Sequence, residues 1–425
     1  MRFRRQTRMV GVVIAAAALV VAGCADKKGA ATPSAYPTSS AYAPSSSSEV
    51  PTSVQSPADL GLGILPVGRI NLEGRRFDAP APEHPANPAG DGTAQCRRLT
   101  VAVAGDLSTV EGAGIANGAQ LAVDQHNAKN PGCQLVLVRV DSRGNTVTAL
   151  NQAKRLVSTP DVIAVIGPTT SSDAAAVGPL YNEAGLVSLS PSATAATLTD
   201  KGWKTFFRGI NNDDVEGESL ARHLTGTLMR KRVCVISDNG ESAAGLARAV
   251  TQGLGSAAVE SCSSITPTGT VDIPARVADI TKAGADGVFF AGSPRDAGPL
   301  AAALKKSAPQ VVFAAGDQAN SADFVALAGD AAPAAVLSCL CSPDPKSFTT
   351  EFTEKFTDAP TRFALESYDL ATIVITGIDA RRQTRVQMRE YVSRYEGNGL
   401  SRHYKWAPTG ELLDNTVWLY RIGPA

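Results

Sequence analysis

Residues 134–166 read QLVLVRVDSRGNTVTALNQAKRLVSTPDVIAVI, and this stretch decides the fold. Gln134–Val140 and Val162–Ile166 are short apolar runs, and Val147–Val157 between them has the spacing of a helix. Apolar runs bounded by turn residues read as strands buried on both faces, and an intervening helix is the crossover that parallel pairing requires. The alternation extends both ways. Upstream, Leu99–Ala104 predicts a strand and Gly114–Asn127 a helix carrying Ile115, Ala119, Leu121 and Ala122. Downstream, helix Ser172–Ala184 and strands Leu186–Leu189 and Thr205–Arg208 complete a first series. A second series follows: helix Glu216–Met229, strand Val233–Ile236, helix Ala243–Leu254, strand Ala258–Glu260, helix Ile273–Ala283, strand Gly287–Ala291, helix Ala297–Lys306 and strand Val311–Ala314. Two βα series in succession predict an α/β protein with two doubly wound parallel-sheet lobes. The tail returns to helix over Lys346–Phe356, Ala364–Arg381 and Val386–Tyr395, then closes on strands around Tyr404–Trp406 and Val417–Arg421.

Outside this body the composition changes. The 425 residues hold 40 basic and 40 acidic side chains, but Arg2, Arg4, Arg5 and Arg8 open the chain without an acid among them. The remainder is mildly acidic, which argues against nucleic acid as a partner. After the arginines, the apolar run Met9–Gly23 is too short for a permanent membrane span and has the three parts of a secretory signal. Val21-Ala-Gly-Cys24 resembles the bacterial lipobox, which implies a signal peptide over 1–23, cleavage before Cys24 and lipid attachment to it. Residues 25–58 carry nine Ser and five Pro with almost no apolar periodicity, and 59–95 add further Pro and Gly, so 24–96 is expected to be a disordered stalk, with short pieces such as Gly63-Ile-Leu-Pro66 against the surface of the folded part.

Six cysteines remain, an even number that reads as disulfides in an exported chain, with many pairings open. Neighbouring parallel strands would make Cys96–Cys133 and Cys234–Cys262 reasonable; the state of Cys339 and Cys341 stays open. No metal site is expected, because the CxC pair lacks a second cysteine pair and the four histidines are scattered. Enzyme signatures are missing as well. Gly112-Ala-Gly114-Ile-Ala-Asn-Gly118 follows the first strand, but its third glycine comes one residue late for a dinucleotide fingerprint. No P-loop, G-x-S-x-G or H-E-x-x-H is present, and Asp213-Asp214 reads as acid placed at a helix start. Neither a cofactor nor catalysis is expected.

Several segments in order, Gly167-Pro-Thr-Thr-Ser171-Ser172, Tyr181–Thr194, Gly245-Leu-Ala-Arg-Ala-Val250 and the closing Gly410-containing strand pair, resemble the type I substrate-binding proteins of ABC importers, in particular the leucine/isoleucine/valine-binding branch. The resemblance covers roughly Arg97 to Arg421. It implies two lobes joined by a hinge of crossing strands, lobe 1 from 97–211 and 342–395 and lobe 2 from 212–341 and 396–425. A ligand would lie between them, and an ABC permease and ATPase would receive it. By the resemblance, Ser171, Ser192 and Thr194, with Ser172 and Ala193 beside them, hold the α-carboxylate and α-amino groups, and Asp317 faces the ammonium. The residues also make physical sense: a helix start offers unpaired N–H groups to a carboxylate, and Ser192 and Thr194 follow the C-terminal end of a strand. Glu111, Ser242 and Ser293 fall where branch members place aromatics around the ligand side chain, so the pocket is expected to be polar. The alternatives are a lipoprotein sensor without a transport role and, more remotely, a hydrolase on the same scaffold.

Overall fold

The computed structural model describes residues 61–424. The signal peptide, Cys24 and the stalk up to residue 60 lie outside the described residues. In chain order the strands and helices are β1 (Leu62–Ile70), β2 (Arg76–Phe77), β3 (Leu99–Gly105), α1 (Val110–Lys129), β4 (Leu135–Asp141), α2 (Thr146–Ser158), β5 (Val162–Ile166), α3 (Ser171–Glu183), β6 (Val187–Ser190) and β7 (Phe206–Arg208). The second half supplies α4 (Asp213–Arg222), β8 (Val233–Asp238), α5 (Glu241–Leu254), β9 (Ser264–Thr266), α6 (Ile273–Lys282), β10 (Gly287–Ala291), α7 (Pro294–Ser307), β11 (Val312–Ala315), α8 (Ala322–Ala328) and β12 (Val336–Cys339). The tail is α9 (Lys346–Phe356), α10 (Ala364–Asp379), α11 (Arg385–Ser393), β13 (Glu396–Asn398), β14 (His403–Lys405) and β15 (Val417–Pro424).

The first sheet is parallel throughout, in the order β4-β3-β5-β6-β7. Every residue of β5 is buried, as its unbroken apolar run requires of a central strand. The order reverses direction between β3 and β5, which opens a crevice at their carboxyl ends, and α1 and α3 begin there. The second sheet repeats that order in β9-β8-β10-β11-β12 and then adds β15, β1 and β2 antiparallel. Its switch point lies between β8 and β10. Helices α9, α10 and α11 return to the first lobe, α10 lying along α1.

Three expectations change. Residues 61–96 are not stalk: β1 pairs with β15 from Leu62↔Pro424 to Ile70↔Val417, and Ile70 is fully buried. Residues 83–95 are tied to the other lobe, with Ala86 N–H donating to the Asn398 carbonyl and Asn130 Nδ2 to the Ala89 carbonyl. The physical reason is that a strand's partner can be hundreds of residues away, so β1 needs no local periodicity of its own. Secondly, 396–412 sits with lobe 1, because Trp406 packs edge-on to Phe207 and donates its indole N–H to the Arg208 carbonyl. Thirdly, the strand expected at Ala258–Glu260 is reduced to a single bridge, Val233↔Ala258, and the pairing strand is β9. The chain therefore passes between the lobes after β7, after β12 and before β15, and a fourth time after β2.

Cysteine bonds join Cys96 to Cys133, Cys234 to Cys262 and Cys339 to Cys341. The first clips the chain entering β3 to the turn before β4, and the last sits where β12 leaves for the first lobe. Among the described residues no helix is long and apolar enough to cross a membrane.

Candidate functional site

The wall contributed by the first lobe is built at the ends of β5 and β6. Gly167 has φ 124°, and a Cβ there would lie 2.1 Å from the Ala104 carbonyl oxygen, so the β5–α3 turn can ride on the end of β3 only with glycine. Thr170, in extended backbone, caps α3 by accepting from Asp173 N–H at 3.2 Å. Ser171 is therefore the first helical residue rather than the cap, and its buried hydroxyl accepts from Ala195 N–H at 3.1 Å. Ser172 is exposed, with its hydroxyl 3.3 Å from that of Thr170. The Asp173 carboxylate accepts from the Ser142 hydroxyl at 2.7 Å, in the β4–α2 loop. In the next loop, Ser192 Oγ donates to the Thr169 carbonyl at 2.8 Å, and Ala193 is fully buried with its carbonyl accepting from Arg208. Thr194 differs from its neighbours: it is buried, and its hydroxyl faces the Asp213 carboxyl and no other polar partner among the described residues.

The opposite wall begins immediately beyond. Asp213, first residue of α4, donates its N–H to the Thr194 carbonyl at 3.0 Å. Burial pushes the Asp213 carboxyl up to about 7; the Thr194 hydroxyl opposes the shift, and Asp317 and Asp214 nearby add to it. Gly245 in α5 makes room for that carboxyl, since a Cβ there would lie 2.6 Å from Asp213 Oδ2. One turn along α4, Glu216 is fully buried; its Oε1 accepts from the Ser338 hydroxyl at 2.7 Å, and the Asp317 backbone N–H faces the carboxyl. Burial, reinforced by Asp317 and Asp213, holds the Glu216 carboxyl well above the usual carboxylate range. Asp317, just past β11, is buried too; desolvation raises its pKa, Glu111 adds to the rise and Arg362 opposes it.

The structure thus brings Ser171, Ser192, Ala193 and Thr194 together and sets Asp317 near them through Asp213. Glu111, in the first turn of α1, joins from the side through an ion pair with Arg362, whose guanidinium also donates to the Asp317 carbonyl. Ser242 and Ser293 sit at the second sheet's switch point instead. The Ser293 hydroxyl caps α7 by accepting from Arg295 N–H at 3.2 Å, and Ser242 is half-buried at the start of α5. No hydrogen bond ties either to the acidic cluster among the described residues. Sequence reasoning missed Arg362 and Glu216, and it took Asp213 for a helix-start acid only. Arg362 stands on an irregular segment 251 residues from its partner Glu111, so no local pattern marks it.

The one convergent group of ligand-type side chains among the described residues, His126, Cys133 and Asp379, lies elsewhere, and its cysteine is consumed by the bond to Cys96. What the site offers is a helix start and a buried hydroxyl on one lobe against buried carboxylates on the other. That arrangement suits a small molecule with a negative and a positive pole.

Comparison with known proteins agrees with this geometry. The family model described as periplasmic binding protein matches residues 99–424. The chain belongs to that family, whose members here are solute-binding proteins and not enzymes. A Leu/Ile/Val-binding protein of Rhizobium johnstonii is 30% identical over 273 residues, covering 62% of this chain and 74% of that protein. A leucine-, isoleucine-, valine-, threonine- and alanine-binding protein of Pseudomonas aeruginosa is 27% identical, covering 62% of this chain and 72% of its own. Among solved structures, the branched-chain amino acid transporter substrate-binding protein of Streptococcus pneumoniae in complex with isoleucine superposes with a TM-score of 0.65 at 23% identity, over 74% of this chain and 94% of that one. At that identity the likeness establishes the two-lobed fold. Residues 61–98, with β1, lie before the family match.

Proposed function

We propose that this protein is a lipid-anchored, extracytoplasmic receptor that captures a small zwitterionic solute, an amino acid or a close relative, between its lobes and delivers it to an ABC permease. The observation that carries the reading is the meeting of the buried Thr194 hydroxyl and the α3 start with the buried carboxylates of Asp213 and Asp317. A carboxylate belongs at the first pole and an ammonium at the second. A ligand touching both walls favours the closed arrangement by its contacts to each lobe, and the crossing segments act as the hinge. Ser171, Ser192, Ala193 and Thr194 serve the anionic pole, Ser192 through its backbone because its hydroxyl is engaged. The lipid on Cys24 keeps the receptor at the membrane. The names of the two relatives above, a Leu/Ile/Val-binding protein and a leucine-, isoleucine-, valine-, threonine- and alanine-binding protein, support the solute class. A thermal-shift panel of amino acids, amides and short polyols tests the capture: one amino acid should raise the melting temperature, and a panel without any shift contradicts the reading. Incorporation of labelled fatty acid in the native host, lost in Cys24→Ala, tests the anchor.

A further inference from the structure

The side of the site between the two walls is closed by one ion pair. Arg362 stands just before α10, on a segment clamped to the first turns of α1: Thr361 Oγ1 donates to the Glu111 carbonyl at 3.4 Å, and Gly114 leaves room for Thr361, since a Cβ there would lie 1.9 Å from Thr361 Oγ1. From that base the guanidinium reaches Glu111 Oε2 in its own lobe and the Asp317 carbonyl in the other. Anything held between the α3 start and Asp317 therefore has Arg362 and Glu111 as its third neighbour. The other cation near the acids, Arg208, is spent on the carbonyls of Ala193 and Ala195 and on Glu411.

A fixed pair of opposite charges discriminates among side chains. A branched alkyl group would strip water from both charges and return no hydrogen bond. A carboxylate would face Glu111 and Asp317, and an ammonium would face Arg362. A carboxamide suits both at once, its oxygen accepting from remaining guanidinium N–H groups and its NH2 donating to Glu111. Resting on the amino-acid reading above, we propose that the Arg362–Glu111 pair sets the specificity of the site for an amino acid with a neutral carboxamide side chain over the branched-chain amino acids.

Calorimetric titration of the purified protein with L-glutamine, L-asparagine, L-leucine, L-isoleucine, L-valine, L-glutamate and L-lysine tests this. One of the two amides should bind at least ~10-fold more tightly than any branched-chain amino acid. In Arg362→Met that preference should fall below ~3-fold, chiefly through weaker amide binding. Glu111→Gln supplies a second, isosteric variant: by removing the repulsion it should raise the affinity for glutamate relative to that for glutamine. A branched-chain amino acid binding the wild type as tightly as the amides overturns the specificity assignment and leaves the amino-acid reading standing. So does a preference unchanged in both variants. Binding of none of the seven overturns both.

Discussion

Among single residues, capture depends on polar groups that are buried at the seam between the lobes. The buried Thr194 hydroxyl has only the Asp213 carboxyl beside it, which leaves a hydrogen-bonding position for a ligand, a position worth about 1–3 kcal/mol. Thr194→Val should leave the melting temperature of the free protein within a few degrees and reduce ligand affinity about tenfold or more, as calorimetry reads it. Asp213 makes a prediction about pH. Its folded-state value of about 7 lies above its ordinary 3.8, so the native state holds the proton more tightly than the unfolded chain does. Its contribution to stability is therefore fully present at low pH and is lost as pH rises through that window. Asp213→Asn should flatten the fall in melting temperature between about pH 4 and 7. Ligand binding should run the other way: an ammonium needs an ionised partner, so wild-type affinity should strengthen between pH 5.5 and 8, roughly the span in which a group with this pKa ionises. The α3 start and the β6 end that carry Ser171 and Thr194 were legible as elements in the sequence, because apolar runs and helix spacing mark them. Arg362 was not, since its place depends on where α10 docks against α1.

Elements show the same division. The βα alternation from Leu99 to Ala315 was readable because each central strand is an apolar run flanked by helices, and β5 and β10 fall at the residues expected. Strand β12 escaped notice: Val336-Leu-Ser-Cys339 has one polar position in four residues and is defined by pairing with β11 and β15. Helix α10 is buried along nearly its whole length, and it carries the polar network that braces the crossing after β12. Glu366 accepts there from Ser342 N–H at 2.7 Å and pairs with Arg402 at 3.1 Å, both side chains almost wholly buried. Arg402 also donates to the Leu340 carbonyl at 2.6 Å. Removing one member strands the other charge, so Arg402→Ala should destabilise by about 3–5 kcal/mol in denaturant titration. The paired change Arg402→Met with Glu366→Leu should recover much of that loss, because no buried charge remains.

For the whole molecule, the segment before the family match is the part that sequence composition misjudged. Proline and glycine made 61–96 look like stalk, yet it lays β1 on the second sheet and then crosses to the first lobe. Beginning the chain at residue 97 would uncover the fully buried Ile70 site and discard Cys96. Stability should fall by about 3 kcal/mol or more, measured in denaturant against the chain retaining residue 61 onward. The charge balance also reads differently at this scale, since the acids that matter are gathered at one seam between the lobes. Two-pole capture at that seam is the central claim. Its most direct measurement is calorimetric titration with the amino acid that stabilises the protein, alongside its N-acetyl and its α-carboxamide derivatives. The free zwitterion should bind at one site per chain, and binding should be lost when either pole is blocked. Equal affinity for a blocked derivative, or no binding of any zwitterion, would contradict it.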